Sequence, residues 1–250
     1  MRNKLVFGAL LFCSWSGAAE TINAVCPEKT VPFCYPHDGE NIGLVVDVYQ
    51  EIGRRLGKEV AVHPAPFKRM LQYLQSGKYN LAGPFNYSDE RAQYAHYLHQ
   101  PIFTMRFIVY GYKGSYFPVN SIMDIYGKKV GVRRGFHITD AYTKAVAENR
   151  LDVALANSDD QLLAMLIKGR VQFIVTPQYT VLGNSDRLSD QFVEYGELPT
   201  KRNTHLMISV RKGSSLDKIY YEKLNQTLIE MQKDGTLERI SKKYKVWVDH

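Results

Sequence analysis

Apolar and polar positions along this chain switch repeatedly between a helical and a strand period. From position 47 the spacing is helical: Val48, Ile52 and Leu56 recur on one face and Glu51, Arg54 and Arg55 on the other, with Gly57 as a stop. Residues 59–63 alternate as a strand does (Val60, Val62), and Pro64 and Pro66 end it. Phe67, Met70, Leu71 and Leu74 return to the i, i+3, i+4, i+7 spacing of a helix that Gly77 closes. Leu81 and Ala82 then make a short buried strand, which Gly83-Pro84 is expected to break. Ser88 has the chemistry of a helix N-cap, with Asp89 and Glu90 in the positive first turn.

The same reading places a first strand at 22–26 and a β-branched, aromatic strand at 104–110. The pattern then restarts, with a one-turn helix at 121–126, a strand at 128–132, a helix at 139–149 and a strand at 151–154. Ser158 and Gln161 form a capping box that opens a helix at 159–168, and Gly169 closes it. An apolar strand at 171–175 follows, and Pro177 can open the next helix. One strand is expected from Gln191 and another at 205–210. A long helix is striped by Leu216, Ile219, Tyr220, Leu224 and Leu228, and a last helix at 237–244 leaves Trp247 to pack. Alternation of this kind predicts an α/β protein with parallel sheets flanked by helices, in two blocks that end near 110 and 203.

Composition narrows the function classes. Arg2 and Lys4, an apolar run over 5–12 and the small residues Ser16-Gly17-Ala18-Ala19 have the layout of a signal peptide over 1–19. That run is far below the ~20 residues of a membrane span, so an exported, periplasmic protein is expected. Without Arg2 and Lys4 the formal charge falls from +7 to +5. No basic run or aromatic–basic motif suggests nucleic acid. No zinc spacing is present either, and His96 and His99, three apart among tyrosines, read as structural. No cofactor is expected. Cys26 and Cys34, eight positions apart, can close a small loop as a disulfide in an oxidising compartment.

Candidate chemistry gathers at strand ends, where open α/β sheets bind ligands against helix N-termini. Phe85, Asn86, Ser88 and Arg91 form the first such loop, in which the guanidinium can clamp a carboxylate through two parallel bonds. A surface ion pair of Arg91 with Asp89 or Glu90 is the alternative. Arg134, Phe136 and His137 follow the 128–132 strand, and Gln178 follows the 171–175 strand. Phe67 serves equally as a ligand wall or as core. Lys68 and Arg69 read as a solvated helix face.

Leu74-Gln75-Ser76-Gly77-Lys78 and Ser88-Asp89-Glu90-Arg91, together with residues 43–57, 127–135, 168–175 and 234–242, resemble the family 3 periplasmic solute-binding proteins, the receptors of bacterial ABC importers. The resemblance implies a two-lobed, type II (Venus-flytrap) periplasmic-binding-protein fold. Lobe 1 would hold 20–110 and 206–250, lobe 2 would hold 111–205, and two hinge segments would lie near 110–113 and 200–205. It also implies that Phe33 and Tyr35 line the first ligand loop, that the loop with Phe136 and His137 holds a carboxylate, and that the partner is an ABC permease serving a monomeric receptor. In the amino-acid-binding members an aspartate follows the strand corresponding to 171–175 and pairs with the ligand's ammonium; here that position is Pro177. Cationic and aromatic loops without that aspartate predict an acidic or aromatic organic ligand rather than an ordinary amino acid. Two rivals carry different expectations. A periplasmic sensor module would bind through the same cleft. A dehydratase-like enzyme would need a carboxylic acid there, and the three loops offer none beyond Asp89 and Glu90.

Overall fold

A computed structural model describes residues 21–114, 117–134, 138–182, 192–209 and 216–246. The segment 1–19 expected to be a signal peptide, Phe136, His137 and Trp247 therefore lie outside the described residues. The strands are β1 (Ile22–Pro27), β2 (Tyr35–His37), β3 (Glu40–Ile42), β4 (Val60–Ala65), β5 (Leu81–Asn86), β6 (Ala95–Tyr97), β7 (Phe103–Tyr112), β8 (Lys129–Arg133), β9 (Asp152–Ala156), β10 (Phe173–Pro177) and β11 (Phe192–Ser209). The helices are α1 (Leu44–Leu56), α2 (Phe67–Ser76), α3 (Asp89–Ala92), α4 (Asp140–Ala147), α5 (Asp159–Ile167), α6 (Gln178–Leu182), α7 (Leu216–Lys233) and α8 (Thr236–Lys243).

One nine-stranded mixed sheet runs in the order β4-β1-β5-β11-β7-β10-β8-β9, with β6 paired to β11 and the β2–β3 hairpin separate. Two parallel arrays, β4-β1-β5 and β10-β8-β9, sit at its ends. Between them β7 and β11 pair with each other, and each runs antiparallel to the array it meets. The expectation of parallel sheets thus holds for the two ends and fails in the middle. A second correction concerns the strands expected from Gln191 and at 205–210, which are parts of the single strand β11. Its ladder to β7 shifts between Glu194 and Gly196 and again between Glu197 and Lys201, so Pro199, which lacks an amide hydrogen, falls where the ladder is interrupted. Gly196 has φ +159°, and a Cβ there would meet the Val119 carbonyl oxygen at 1.8 Å. The strand can pass this point only as glycine. Gly83-Pro84 does not end β5 either; the strand continues to Asn86 through it.

The amphipathic prediction for α1 is borne out: Leu44, Val45, Val48, Tyr49 and Ile52 are buried, and the Tyr49 hydroxyl donates to the Val25 carbonyl at 2.9 Å. α7 and α8 pack against α1. Arg55 donates to Glu51 (2.7 Å), Asp234 (2.7 Å) and the Thr236 hydroxyl (3.0 Å), and Lys243 pairs with Asp47 at 2.7 Å. The end of the chain is thereby fastened to the first helix. Cys26 at the end of β1 is disulfide-bonded to Cys34, as expected.

Candidate functional site

The site grows from the carboxyl end of β5. Pro66 starts α2 at Phe67, and β5 ends on Phe85 and Asn86, which brings the two phenylalanine rings to 5.6 Å. α3 follows at once and sets the Arg91 guanidinium carbon 5.6 Å from each ring. Its Nη1 donates to the Asn86 carbonyl at 3.1 Å. Phe85 is buried and Phe67 is 47% exposed, so one ring supports the cation from below and the other flanks it at the surface. Among the described residues no carboxylate pairs with Arg91. The neighbouring Asp89 instead binds the exposed Tyr87 hydroxyl, which raises the tyrosine's pKa. The alternative of a surface ion pair with Asp89 or Glu90 finds no support in this geometry.

Asn86 and Ser88, named as ligand contacts, are engaged by the protein itself. Asn86 Oδ1 accepts from the Thr204 hydroxyl at 3.0 Å, and its Nδ2 lies 3.9 Å from Met105 Sδ. The Tyr97 hydroxyl donates to the Asn86 carbonyl at 3.0 Å and accepts from the Ser88 amide at 3.0 Å. Ser88 caps α3 without a side-chain hydrogen bond.

Phe33 sits in the loop closed by the Cys26–Cys34 disulfide and is 3% exposed. It stacks on Phe103 (centroids 4.8 Å apart, planes at 18°) and meets the edge of Tyr179 at 4.6 Å. The carbonyls of Pro32 and Phe33 accept from the Leu44 and Val45 amides, which ties the loop to the start of α1. Tyr35 is half-buried in the β2–β3 hairpin.

The carboxyl ends of β8, β9 and β10 form a second edge. Arg133 donates to Asp159, in the first turn of α5, at 2.9 Å. Asp159 Oδ1 is buried and accepts no hydrogen bond among the described residues. Burial raises the Asp159 pKa and the Arg133 charge opposes that rise. Arg134, the residue named from sequence, is exposed; its Nε donates to Asn157 Oδ1 at 3.1 Å and its amide to the Ala156 carbonyl. Gln178 opens α6 and is half-buried, beside the buried Thr176 and Pro177. The two edges are linked by a chain of contacts. Asn86 touches Thr204, Thr204 pairs with Phe103, Phe103 stacks on Phe33, and Phe33 meets Tyr179, whose pKa is raised by burial first and then by the Asp159 charge.

Sequence reasoning missed Tyr97, which was noticed only as a neighbour of His96 and His99. It also chose Arg134 over Arg133, because adjacent arginines at a strand end cannot be told apart without knowing which one faces α5. His99 is structural, as expected: its Nε2 is 2.9 Å from the Tyr221 hydroxyl. No cluster of three or more histidine, cysteine, aspartate or glutamate side chains suited to a metal occurs among the described residues, and no described helix is long and apolar enough to cross a membrane.

With this geometry in hand, comparison with known proteins is informative. The model of the bacterial extracellular solute-binding proteins, family 3, matches residues 22–246. The chain is 27% identical over 220 residues to the L-cystine-binding protein TcyJ of Escherichia coli strain K12, covering 85% of this chain and 78% of that one. An ancestral arginine-binding protein bound to arginine aligns with TM-score 0.69 at 28% identity, over 90% of this chain and 97% of that one. A histidine kinase sensor domain with similarity to periplasmic binding proteins aligns with TM-score 0.72 at 19% identity, over 92% and 99% of the two chains, a likeness of fold alone. The chain belongs to the bacterial extracellular solute-binding proteins of family 3 and has their two-lobed type II periplasmic-binding-protein fold.

Proposed function

We propose that this protein is a periplasmic receptor that holds a small carboxylate-bearing solute between two lobes and delivers it to an ABC permease. The two parallel arrays would be the cores of the lobes, and β7 and β11, which pair with each other and with one array each, the hinge strands. The observation that carries the reading is Arg91. It is a cation fixed by two aromatic rings and a backbone carbonyl, without a carboxylate partner among the described residues. A guanidinium held in this way is ready for a bidentate carboxylate. Binding rather than catalysis accords with the role of the L-cystine-binding relative.

The preferred ligand is an organic acid with an apolar or aromatic body. Pro177 ends β10 with neither charge nor amide hydrogen, and Phe67, Phe33 and Tyr179 supply rings around the path between the edges. A second reading, an amino acid, is favoured by one observation: Asp159 Oδ1 is a buried acceptor without a hydrogen bond among the described residues, and it could receive an ammonium. The arginine-bound and L-cystine-binding relatives point the same way. Calorimetric titration with L-arginine, L-cystine and L-phenylalanine beside succinate, benzoate and 3-phenylpropanoate decides between them. Tighter binding of 3-phenylpropanoate than of L-phenylalanine is expected. Micromolar binding of an amino acid, lost when its amine is absent, would replace the first reading with the second.

A further inference from the structure

Tyr97 does a job at this site that its sequence context does not announce. It belongs to β6, which pairs with the far end of β11 and not with β5. Its side chain therefore reaches the β5–α3 loop from a separate strand. There one hydroxyl makes two bonds to the backbone of a three-residue turn, donating to the Asn86 carbonyl and accepting from the Ser88 amide, both at 3.0 Å. The Asn86 carbonyl is the same oxygen that receives Arg91 Nη1 at 3.1 Å. The tyrosine and the anchor arginine thus share an acceptor, and the turn between them is closed on both sides.

The ring is itself held. His205 meets it edge-on at 6.1 Å and Tyr87 lies against it at 5.1 Å. The Tyr221 hydroxyl donates to the Tyr97 carbonyl at 3.0 Å. The His205 Nδ1 donates to the neighbouring Leu98 carbonyl at 2.9 Å, since a carbonyl can only accept. The hydroxyl thus sits on a rigid arm, and phenylalanine would keep the arm while removing both bonds.

We propose that Tyr97 is the positioning residue of the Arg91 site: its hydroxyl sets the turn from Asn86 to Ser88 before a ligand arrives and so fixes where the guanidinium stands. The inference rests on reading Arg91 as the ligand anchor. It explains why the Ser88 amide is withheld from the ligand although it lies at the start of a helix, and why the loop needs no side-chain cap. Ordering the turn in advance removes an entropic cost that binding would otherwise carry. Loss of the hydroxyl should therefore weaken binding by about tenfold, the size expected for one or two hydrogen bonds of this kind.

The test compares wild type, Tyr97→Phe, Tyr221→Phe and Arg91→Ala. In the ligand-free proteins, nuclear magnetic resonance follows exchange of the Ser88 amide and the position of the Arg91 Nε–Hε signal. Tyr97→Phe should speed Ser88 exchange at least tenfold and move the Arg91 signal. Tyr221→Phe removes one support of the arm but neither bond to the turn, and should change both readouts several-fold less than Tyr97→Phe does. Unchanged Ser88 exchange and an unchanged Arg91 signal in Tyr97→Phe would overturn the inference, as would equal changes in Tyr221→Phe, which would mark Tyr97 as a general packing residue. Titration with L-arginine and 3-phenylpropanoate judges the underlying reading separately. If Tyr97→Phe moves the Arg91 signal but Arg91→Ala leaves probe affinity unaltered, the anchor assignment falls while the hold of Tyr97 on the turn stands.

Discussion

Arg133 ends the parallel strand β8 and Arg91 lies in the short helix that follows the parallel strand β5, yet the protein treats them in opposite ways. Arg133 faces a carboxylate, Asp159, at 2.9 Å, and burial around that carboxylate makes the pair a local, already balanced unit. Arg91 faces two phenylalanine rings and a carbonyl, and among the described residues no acid answers its charge. Aromatic faces hold a guanidinium in place without cancelling its full charge, whereas an ion pair leaves little attraction for a third party. A ligand anion should therefore go to the β5 edge, and a ligand group that donates hydrogen bonds should go to the edge carrying Asp159. Arg55 is the scaffold limit of the series: it is bonded to Glu51, Asp234 and Thr236 and only joins helices.

The most direct way to break this contrast is to remove the unbalanced cation. Arg91→Ala should lower the affinity of whichever carboxylate the wild type binds by about thirty- to several-thousand-fold, the range for losing a desolvated charge partner. Its melting temperature should stay close to that of the wild type. Calorimetry and thermal unfolding check the two halves, and a loss under threefold would return Arg91 to the surface.

Removing the disulfide should have the next largest effect, this time on the scaffold. Replacing Cys26 and Cys34 by serine frees a loop eight residues apart in sequence and should lower stability by about 2–3 kcal/mol in the chain-entropy model. Denaturant unfolding measures it, and alkylation of the native exported protein without reductant should find no free thiol among these two.

Arg55 sharpens the comparison through pH. The Arg54 guanidinium bonded to Glu51, helped by Arg55, holds the Glu51 carboxyl down to about 2, against an ordinary value of 4.5. A carboxyl depressed on folding stabilises fully above its unfolded pKa, and that contribution disappears as pH falls through the folded value. Stability should thus fall between pH 4.5 and about 2. Glu51→Gln should lose about 1–2 kcal/mol at pH 7 and almost nothing at the acid end. Urea unfolding at both ends of that window checks the sign. Ligand affinity should not follow this titration, because among the described residues no carboxylate pairs with Arg91.

Phe67→Ala should have the smallest effect, weakening carboxylate binding by about two- to fivefold, as expected for one partly exposed cation–π contact. A larger loss would mean that the ring touches the ligand directly.

Much of the architecture was readable along the chain because burial imposes a period. Helices α1, α2 and α5, and the strands β4, β8 and β10, stand close to where their apolar spacing put them. Gly57 and Gly77 end α1 and α2 with positive φ, as their positions suggested. Of the capping box at Ser158 and Gln161 one half forms: the Ser158 hydroxyl accepts from the Gln161 amide at 3.1 Å, while the Gln161 side chain accepts from the Asn157 amide at 2.7 Å instead of from Ser158. Breakers were read less well. Gly83-Pro84 looked like a strand end, but a strand tolerates it where its neighbours do not need the missing donor. At the site, Arg91 was legible because an acidic helix start after a strand is a local signal. The roles of Asn86 and Ser88 were not, since they depend on Thr204 and Tyr97, 118 and 9 positions away.

By itself, then, the sequence determined the α/β alternation, the cysteine pair, the amphipathic helices and the arginine at the first loop. All of these follow from patterns within a few turns of chain. Tertiary structure alone decided which arginine has its charge balanced by a carboxylate among the described residues, because pairing depends on what another segment brings within about 3 Å. It also decided that β11 is one strand running between β5 of one array and β7, since register is set by partners far away in sequence. And it turned Tyr97 from an aromatic among histidines into a hydroxyl bonded to both ends of the turn from Asn86 to Ser88.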